Sequence, residues 1–511
     1  MKKSLAFLLL VFLHVFIGNV VAYSQGKLEL LPGSEKIYFD KNTQTHRLVG
    51  NVGFTYQGNT MFCDSAHYKE NQKIVKAFGN VHITKDDINL YCDSMFYSGA
   101  QRFARLWGHV NVRDSEYKLT SDSAEYDSKT GKATYRNYGK IENSLNKEKI
   151  TSKVGYFYPA TRSYFFSGKV KYVKEDLTIT TDTLQFAYEK QTTYFYGPTH
   201  IKNDSIQIKC ERGYYNIEKQ EGQLRKNVEI AQKYRRIYCD TADYKEIHQD
   251  FLGRGHVRIY ENNHHLVLFG DRFQSHNTKS ATTLSGHALV IETGHKDSLF
   301  IHAETIYMFE DSTKTERNLC ANHKVKIFSK SIQAIGDSAN YASMSGTLVL
   351  QKLPILWSNS GELKGDEIHI FTKDSLIEKA EVIGHATAIL EVEKGLYYNQ
   401  LSGKNILARF KNSELNNVKV NGNAWTIFYP VDEEANDTSL VKKRMGMNRL
   451  FASELLVYLD SGEVSRITYF DKPDGIFFPM DKIDASEKYI QGFSWSPMLR
   501  PRNPWEMVHS D

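Results

Sequence analysis

Carboxylates return along this chain at a nearly fixed interval. Asp64, Asp93, Asp122, Asp182 and Asp240 each precede a Ser or Thr. A ladder of acids could ligate calcium, a hard cation that takes about six to eight oxygens. Calcium-binding repeats supply several oxygens per turn, with paired glycines. Here a single carboxylate arrives about every 29 residues, so the pattern reads as a bend-forming Asp-Ser/Thr pair bonded to nearby backbone. The thiols repeat as well. Cys63 matches Cys92, Cys210 matches Cys239, and Cys320 has no counterpart. In an antiparallel stack an intervening strand would hold each pair about 9–10 Å apart, beyond disulfide reach; in a parallel solenoid the same pairs would be adjacent. The 18 His are scattered, and neither His264-His265 nor His302 has metal-ligand spacing. There is no His-Glu-x-x-His, no Gly-x-Ser-x-Gly and no phosphate loop. No repeat gathers the paired acids of a glycoside hydrolase. These residues point away from an enzyme, a metal site and a cofactor.

The elements that carry the acids form a long repeat. Cys63-Asp64-Ser65-Ala66-His67-Tyr68, Cys92-Asp93-Ser94-Met95-Phe96-Tyr97 and Ser121-Asp122-Ser123-Ala124-Glu125-Tyr126 are three copies. Others centre on Asp182, Glu211, Asp240, Asp271, Glu304, Asp337 and Asp366, with weaker ones on Glu35, Ser152, Lys404 and Glu454. A second marker is interleaved: Gly50-Asn51-Val52, Gly79-Asn80-Val81, Gly108-His109-Val110, Gly168-Lys169-Val170, Gly255-His256-Val257 and Gly286-His287-Ala288. Two markers at one period identify a repeat architecture. Val, Ile, Thr, Tyr and Phe dominate each copy, and polar turns such as Ser128-Lys129-Thr130-Gly131 separate them, which predicts strands.

Alternation assigns the faces. Three positions before the acidic centre stand Met61, Leu90, Leu119, Ile179, Ile208, Ile237 and Leu268, and on the Gly strands Val81, Ile83 and Val110 alternate in the same way. After the centre the apolar residues switch parity, as in Ala66/Tyr68 and Met95/Tyr97. A regular strand keeps one parity on one face, so each strand bends at Asp-Ser/Thr, and the Gly-x-Val strand bends beside it. The apolar ladder inside the fold is then either a packed core or the lining of a groove for an apolar ligand.

Composition narrows the class. The 511 residues carry a net charge of +5, 13% aromatic residues and only 10 Pro. That excludes collagen-like and Pro-rich disordered chains, and there is no basic stripe of a nucleic-acid binder. Lys2-Lys3, the apolar run Leu5–Ile17 and Ala22-Tyr23-Ser24 read as a signal peptide over residues 1–24, with an uncleaved anchor as the other reading.

An export signal followed by Gly-Asn-Val…Asp-Ser-Ala-x-Tyr repeats resembles the OstA/LptA family of periplasmic lipopolysaccharide-transport proteins. Residues 50–68 and 79–97 match best; the resemblance is strongest over 26–260 and extends to about 470. It implies an all-β fold: an elongated open β-jellyroll of stacked, bent antiparallel strands. It assigns the ten ladder residues to binding lipid acyl chains. Its implied partners are lipopolysaccharide or a lipid A-type glycolipid, other lipopolysaccharide-transport proteins joined end to end through strand pairing, and an outer-membrane translocon. Its implied location is the periplasm, in association with the outer membrane. Domain organisation reads as a repetitive region over 25–470, as one or two jellyrolls, with a charge-mixed loop inserted near 431–447. The tail 471–511, with five Pro and with Trp495 and Trp505, departs from the family pattern, as does the number of repeats. The alternative is a β-solenoid that binds a surface polysaccharide or a protein partner without carrying lipid. Its aromatics should point outward, whereas Tyr68, Tyr97 and Tyr126 share parity with the inward positions.

Overall fold

The computed structural model describes residues 28–509, apart from 57, 86, 144, 146, 159–160, 188, 217, 246–249, 277–280, 294–296, 311–316, 343, 359–360, 374–375, 412–413, 437–438 and 461–462. The leader read at residues 1–24 lies outside the described residues. The chain divides into two compact units, residues 1–247 and 248–511. Each is built from consecutive antiparallel strands, so the all-β, stacked-strand expectation holds.

In the first unit most strands are 10–12 residues long, and each pairs with the one before and the one after it. The β-rich composition and short polar turns give this meander directly. Every strand is bent at the same level. Gly79 and Asn80, at φ 72° and 46°, both lie in the left-handed region. Together they occupy the space opposite the single residue Asp93 of the next strand. This is a β-bulge, and it folds the sheet into two wings. Parity changes across Asp64-Ser65 as the alternation predicts. The inserted residue belongs to the Gly-x strand.

The bulges recur along the chain, and several contain no glycine: Asn137-Tyr138, Lys226-Asn227, His323-Lys324 and Lys352-Leu353 all have positive φ. One register shifts from the sequence reading. Lys153, and not Ser152, occupies the bend, with its N–H bonded to the Gly168 carbonyl at 2.8 Å, while Ser152 is turned into the core. Ser152 was the nearest small polar residue to the period, and alternation around it is interrupted.

The carboxylate and glycine markers are two halves of one contact. Asp64 Oδ2 accepts from Asn80 Nδ2 at 2.9 Å, and His109 Nδ1 lies 2.7 Å from Asp93 Oδ2. Asn227 donates to Glu211 at 2.6 Å, and His287 meets Asp271 at 2.7 Å. In each case the partners are 16 residues apart. The acid lies over the bulge glycine: a Cβ on Gly108 would sit 2.2 Å from Asp93 Oδ2. At Asp337, a hydrogen bond from Lys352 and then one from His323 hold the carboxyl below its usual range.

Inside the bend lie the thiols. Cys63, Cys92, Cys210 and Cys239 are buried, Cys320 is half-buried, and none of the five forms a disulfide. The strand Ile74–Lys85 runs between Cys63 and Cys92, as the antiparallel reading requires. Burial pushes the Cys63 thiol up to about 11 and the Cys92 thiol up to about 12.

The second unit repeats this plan and adds a strap. Residues 431–444 form a two-stranded hairpin, Val431–Asn436 with Ser439–Arg444, while the flanking strands Glu414–Phe428 and Gly446–Asp460 pair directly with each other. After the last strand, Asp474–Pro479, the chain turns back across the outer face of its own unit. Ile490 N–H bonds to Gln400 Oε1, Ser496 N–H to Glu362 Oε2, Arg500 Nε to Gln333 Oε1, and Lys326 Nζ to the Met507 carbonyl.

Two expectations follow. Gly108→Ala should lose about 2–3 kcal/mol of stability, because the left-handed backbone and the Asp93 contact both oppose a Cβ. Gly58→Ala, at φ 82° with nothing within 4 Å, should lose only about 1 kcal/mol. Denaturant midpoints of the two variants would show the difference. The second concerns alkaline pH. Burial above all holds Cys63 at about 11, and Tyr117 and Tyr126 at about 12, well above the ordinary thiol and phenol ranges. Below about pH 9 these groups are neutral in both states and their contribution is fully present; above it the unfolded chain ionises first. Midpoints should therefore be flat from pH 7 to about 9 and fall steeply up to about pH 12.

Candidate functional site

The inner faces of the two wings run through the strands of the first unit. Below the bend on one wing, cross-strand neighbours join Phe54, Met61, Ile83, Leu90, Val112, Leu119 and Ile141 in direct register. The row continues through Ile150, Tyr172, Ile179, Ile201, Ile208, Ile230 and Ile237. Directly opposed β-branched and aromatic side chains are the stabilising unit of a sheet, so the row is a packing device whatever else it does. Val81 and Val110 lie one step nearer the bend on the same face, opposite Cys92 and Ser121. On the other wing Leu48, Ala66, Ala77, Met95, Leu106 and Ala124 make a second row. The two rows belong to one continuous apolar cluster. Seven of the nine ladder residues of this unit, Met61, Val81, Ile83, Leu90, Val110, Leu119 and Ile179, belong to that cluster, and Ile208 and Ile237 continue the same cross-strand row. Leu90, Val81, Val110, Ile237, Leu119 and Met61 are buried, while Ile83, Ile179 and Ile208 keep some exposure.

Leu268, the tenth, belongs to the second unit, where the equivalent row runs Ile259, Leu268, Val290, Ile301, Ile327 and Ala334. It goes on through Leu356, Leu363, Ala388 and Leu401. Towards the last strands the wings separate slightly. A cavity of about 90 Å³ lies among Leu363, Ala388, Leu401, Phe410, Val418 and Val457. It borders the interior row of the second unit at Leu363, Ala388 and Leu401.

Alternation missed one polar cluster inside the first unit. Glu148, 1% exposed, pairs with Lys174 at 2.7 Å and accepts from Tyr172 Oη at 3.3 Å. Burial and then the neighbouring carboxylate push the Tyr172 phenol above the usual range. Glu148 stands directly opposite Asn143 and Lys174, beside the Tyr117–Asn143 pair. A buried carboxylate is tolerable only with such a partner set. The signal was present as an inward-parity Glu two residues before Ile150. Among the described residues no three His, Cys, Asp or Glu converge on a metal-sized site. Nor is any described helix long and apolar enough to cross a membrane. The arrangement can sequester apolar surface.

Known proteins resemble this arrangement. Residues 31–182 match the family model described as OstA-like protein. Residues 268–375 match the one described as LptA/(LptD N-terminal domain) LPS transport protein. Among solved structures, LptH of Pseudomonas aeruginosa, the LptA-homologous periplasmic component of its lipopolysaccharide transport device, is 15% identical with a TM-score of 0.22, covering 29% of this chain and 95% of that one. No curated protein sequence matches the chain. One matched stretch falls in each compact unit, over the same bent strands and interior rows described above: the first unit carries an OstA-like region, and the second a region similar to the LptA/LptD N-terminal lipopolysaccharide-transport domain.

Proposed function

We propose that this chain is a non-enzymatic periplasmic carrier that binds lipopolysaccharide or a related glycolipid and passes it toward the outer membrane. The acyl chains would lie against Met61, Val81, Ile83, Leu90, Val110, Leu119, Ile179, Ile208 and Ile237 in the first unit and Leu268 in the second. The observation that carries this reading is the uninterrupted row from Phe54 to Ile237. It crosses the strands of the first unit without a single charged side chain. A packed core needs apolar volume but not one straight apolar track. A chain that slides needs the track, because each methylene taken from water contributes roughly 0.8 kcal/mol and any polar stop would interrupt it.

Lipid would enter as the wings part. Ile83, Ile179 and Ile208, the incompletely buried members, are where parting costs least packing. Lipid contacts would replace the contacts between wings, which keeps the energetic difference between loaded and empty forms small. Net movement then needs an energy source outside this chain.

Joining to other transport proteins and to an outer-membrane translocon would use the terminal strands. Lys36–Asp40 pairs with Thr45–Tyr56, and Ile37, Tyr38 and Phe39 are about half exposed. Asp474–Pro479 pairs with Gly446–Asp460, and Ile476 and Phe477 are similarly exposed. Exposed apolar edge strands are templates for pairing with another chain.

The test is site-specific photo-crosslinking in cells. A photoreactive residue at Ile83, Ile179 or Ile208 should capture lipopolysaccharide, whereas one at the outward neighbours Thr84, Thr178 or Gln207 should not. Folded, exported protein with no lipid at the inward set would refute carriage and favour a surface partner.

A further inference from the structure

The C-terminal strap carries an unusual outward face. From Lys488 to Trp505 the chain has three cations, Lys488, Arg500 and Arg502, four aromatic residues and no carboxylate. Its inward side is fully used: Ile490, Pro501 and Met507 are buried against the second unit. Its outward side presents Met498 at 80% exposure, Leu499 at 57% and Trp505 at 58%. Met498 and Leu499 form a short turn, Pro497–Leu499, between two anchors. On one side Ser496 N–H bonds to buried Glu362, and on the other Arg500 Nε bonds to buried Gln333. Glu362 is itself held by Trp357 Nε1 at 2.9 Å and by Lys364, whose ammonium also bonds to Ser494 and Ser496. The turn therefore points away from the sheet because both of its ends are fastened.

A single exposed leucine on a surface is ordinary. A fixed apolar knuckle, followed along the strap by exposed Arg502 and Trp505, has a more specific chemistry. Tryptophan favours the boundary between lipid headgroups and hydrocarbon, and arginine is drawn to anionic headgroups. Arg502 is exposed and, among the described residues, has no carboxylate partner. Glu506, the next acid in the chain, lies against Asn503 Nδ2 at 3.3 Å. We infer that the outward face of the strap, Met498, Leu499, Arg502 and Trp505, docks the protein on an anionic phospholipid surface. This is a surface contact made by the outside of the second unit, and it is independent of lipid in the interior.

The experiment uses the chain without residues 1–24 and sedimented vesicles free of lipopolysaccharide. One set is phosphatidylcholine with about a quarter phosphatidylglycerol, the other phosphatidylcholine alone. The wild-type protein should pellet with the anionic set, release with added salt, and bind the neutral set at least tenfold less. Met498→Asp with Leu499→Asp should reduce anionic binding at least tenfold with an unchanged circular dichroism spectrum, and Trp505→Ala should reduce it severalfold. Wild-type protein that stays in the supernatant, or a double variant that pellets as well as wild type, would overturn the inference. In the first of those cases the knuckle would be assigned to a protein partner.

Discussion

Everything in this protein depends on each strand turning at the same level, and the turn is a pair of residues in the left-handed region. Two such residues cost roughly 2–4 kcal/mol when neither is glycine. The carboxylate contacts over the bulges are exposed, with His109 91% and Asp93 56% accessible, and pairs of that kind are worth about 0–1 kcal/mol. They cannot hold the bend alone. What holds it is burial on both sides: straightening one strand would move either its Leu90-type or its Met95-type residues from the interior into water. The carboxylate does something smaller and more selective. It occupies the space a Cβ would need over glycine, and it gives the following Asn, His or Lys a partner.

This division explains what could be read from residues alone. Period, strand content and the interior ladder were legible because burial enforces them at every copy. The bend was legible from the parity change between Cys63 and Ala66. Which strand holds the extra residue was not, because Asp and Gly mark the same contact from its two sides. Ser152 stood in for Lys153 for a related reason: Lys153 supplies only a backbone N–H to its neighbour, so side-chain identity there is free. The Glu148–Lys174 pair was missed because alternation counts a charged residue as outward unless a partner across the strand is considered.

The two units differ on their outer faces. In the first, the positions beyond the interior row are Asn89, Arg113, Lys118, Glu142 and Lys149, in register across the sheet. In the second they are Val267, Ile291, Phe300, Phe328 and Gln333. Sequence carried this too, as runs such as Leu289-Val290-Ile291 in which alternation disappears. A sheet apolar on both faces needs two covers. The other wing supplies one, and the tail supplies the other, with Met507 and Val508 seated among Leu289, Ile291, Phe300 and Phe328. The proline-rich tail, which departs from the family pattern, is thereby tied to a change in the strands that precede it.

The consecutive antiparallel order also bears on how such a chain is made. Each strand docks on the one before it across a short turn, so loop closure is brief and folding can follow emergence from the N-terminal end. The strap is the exception. Its hydrogen bonds reach back over 130, 167 and 181 residues, to Lys364, Gln333 and Lys326. The apolar outer face of the second unit therefore stays wet until the strap around Met507 arrives. A chain that lacked residues 490–508 would keep every strand of the second unit yet bear an uncovered apolar surface of the kind that aggregates, so the strap acts as a seal added after the sheet it covers.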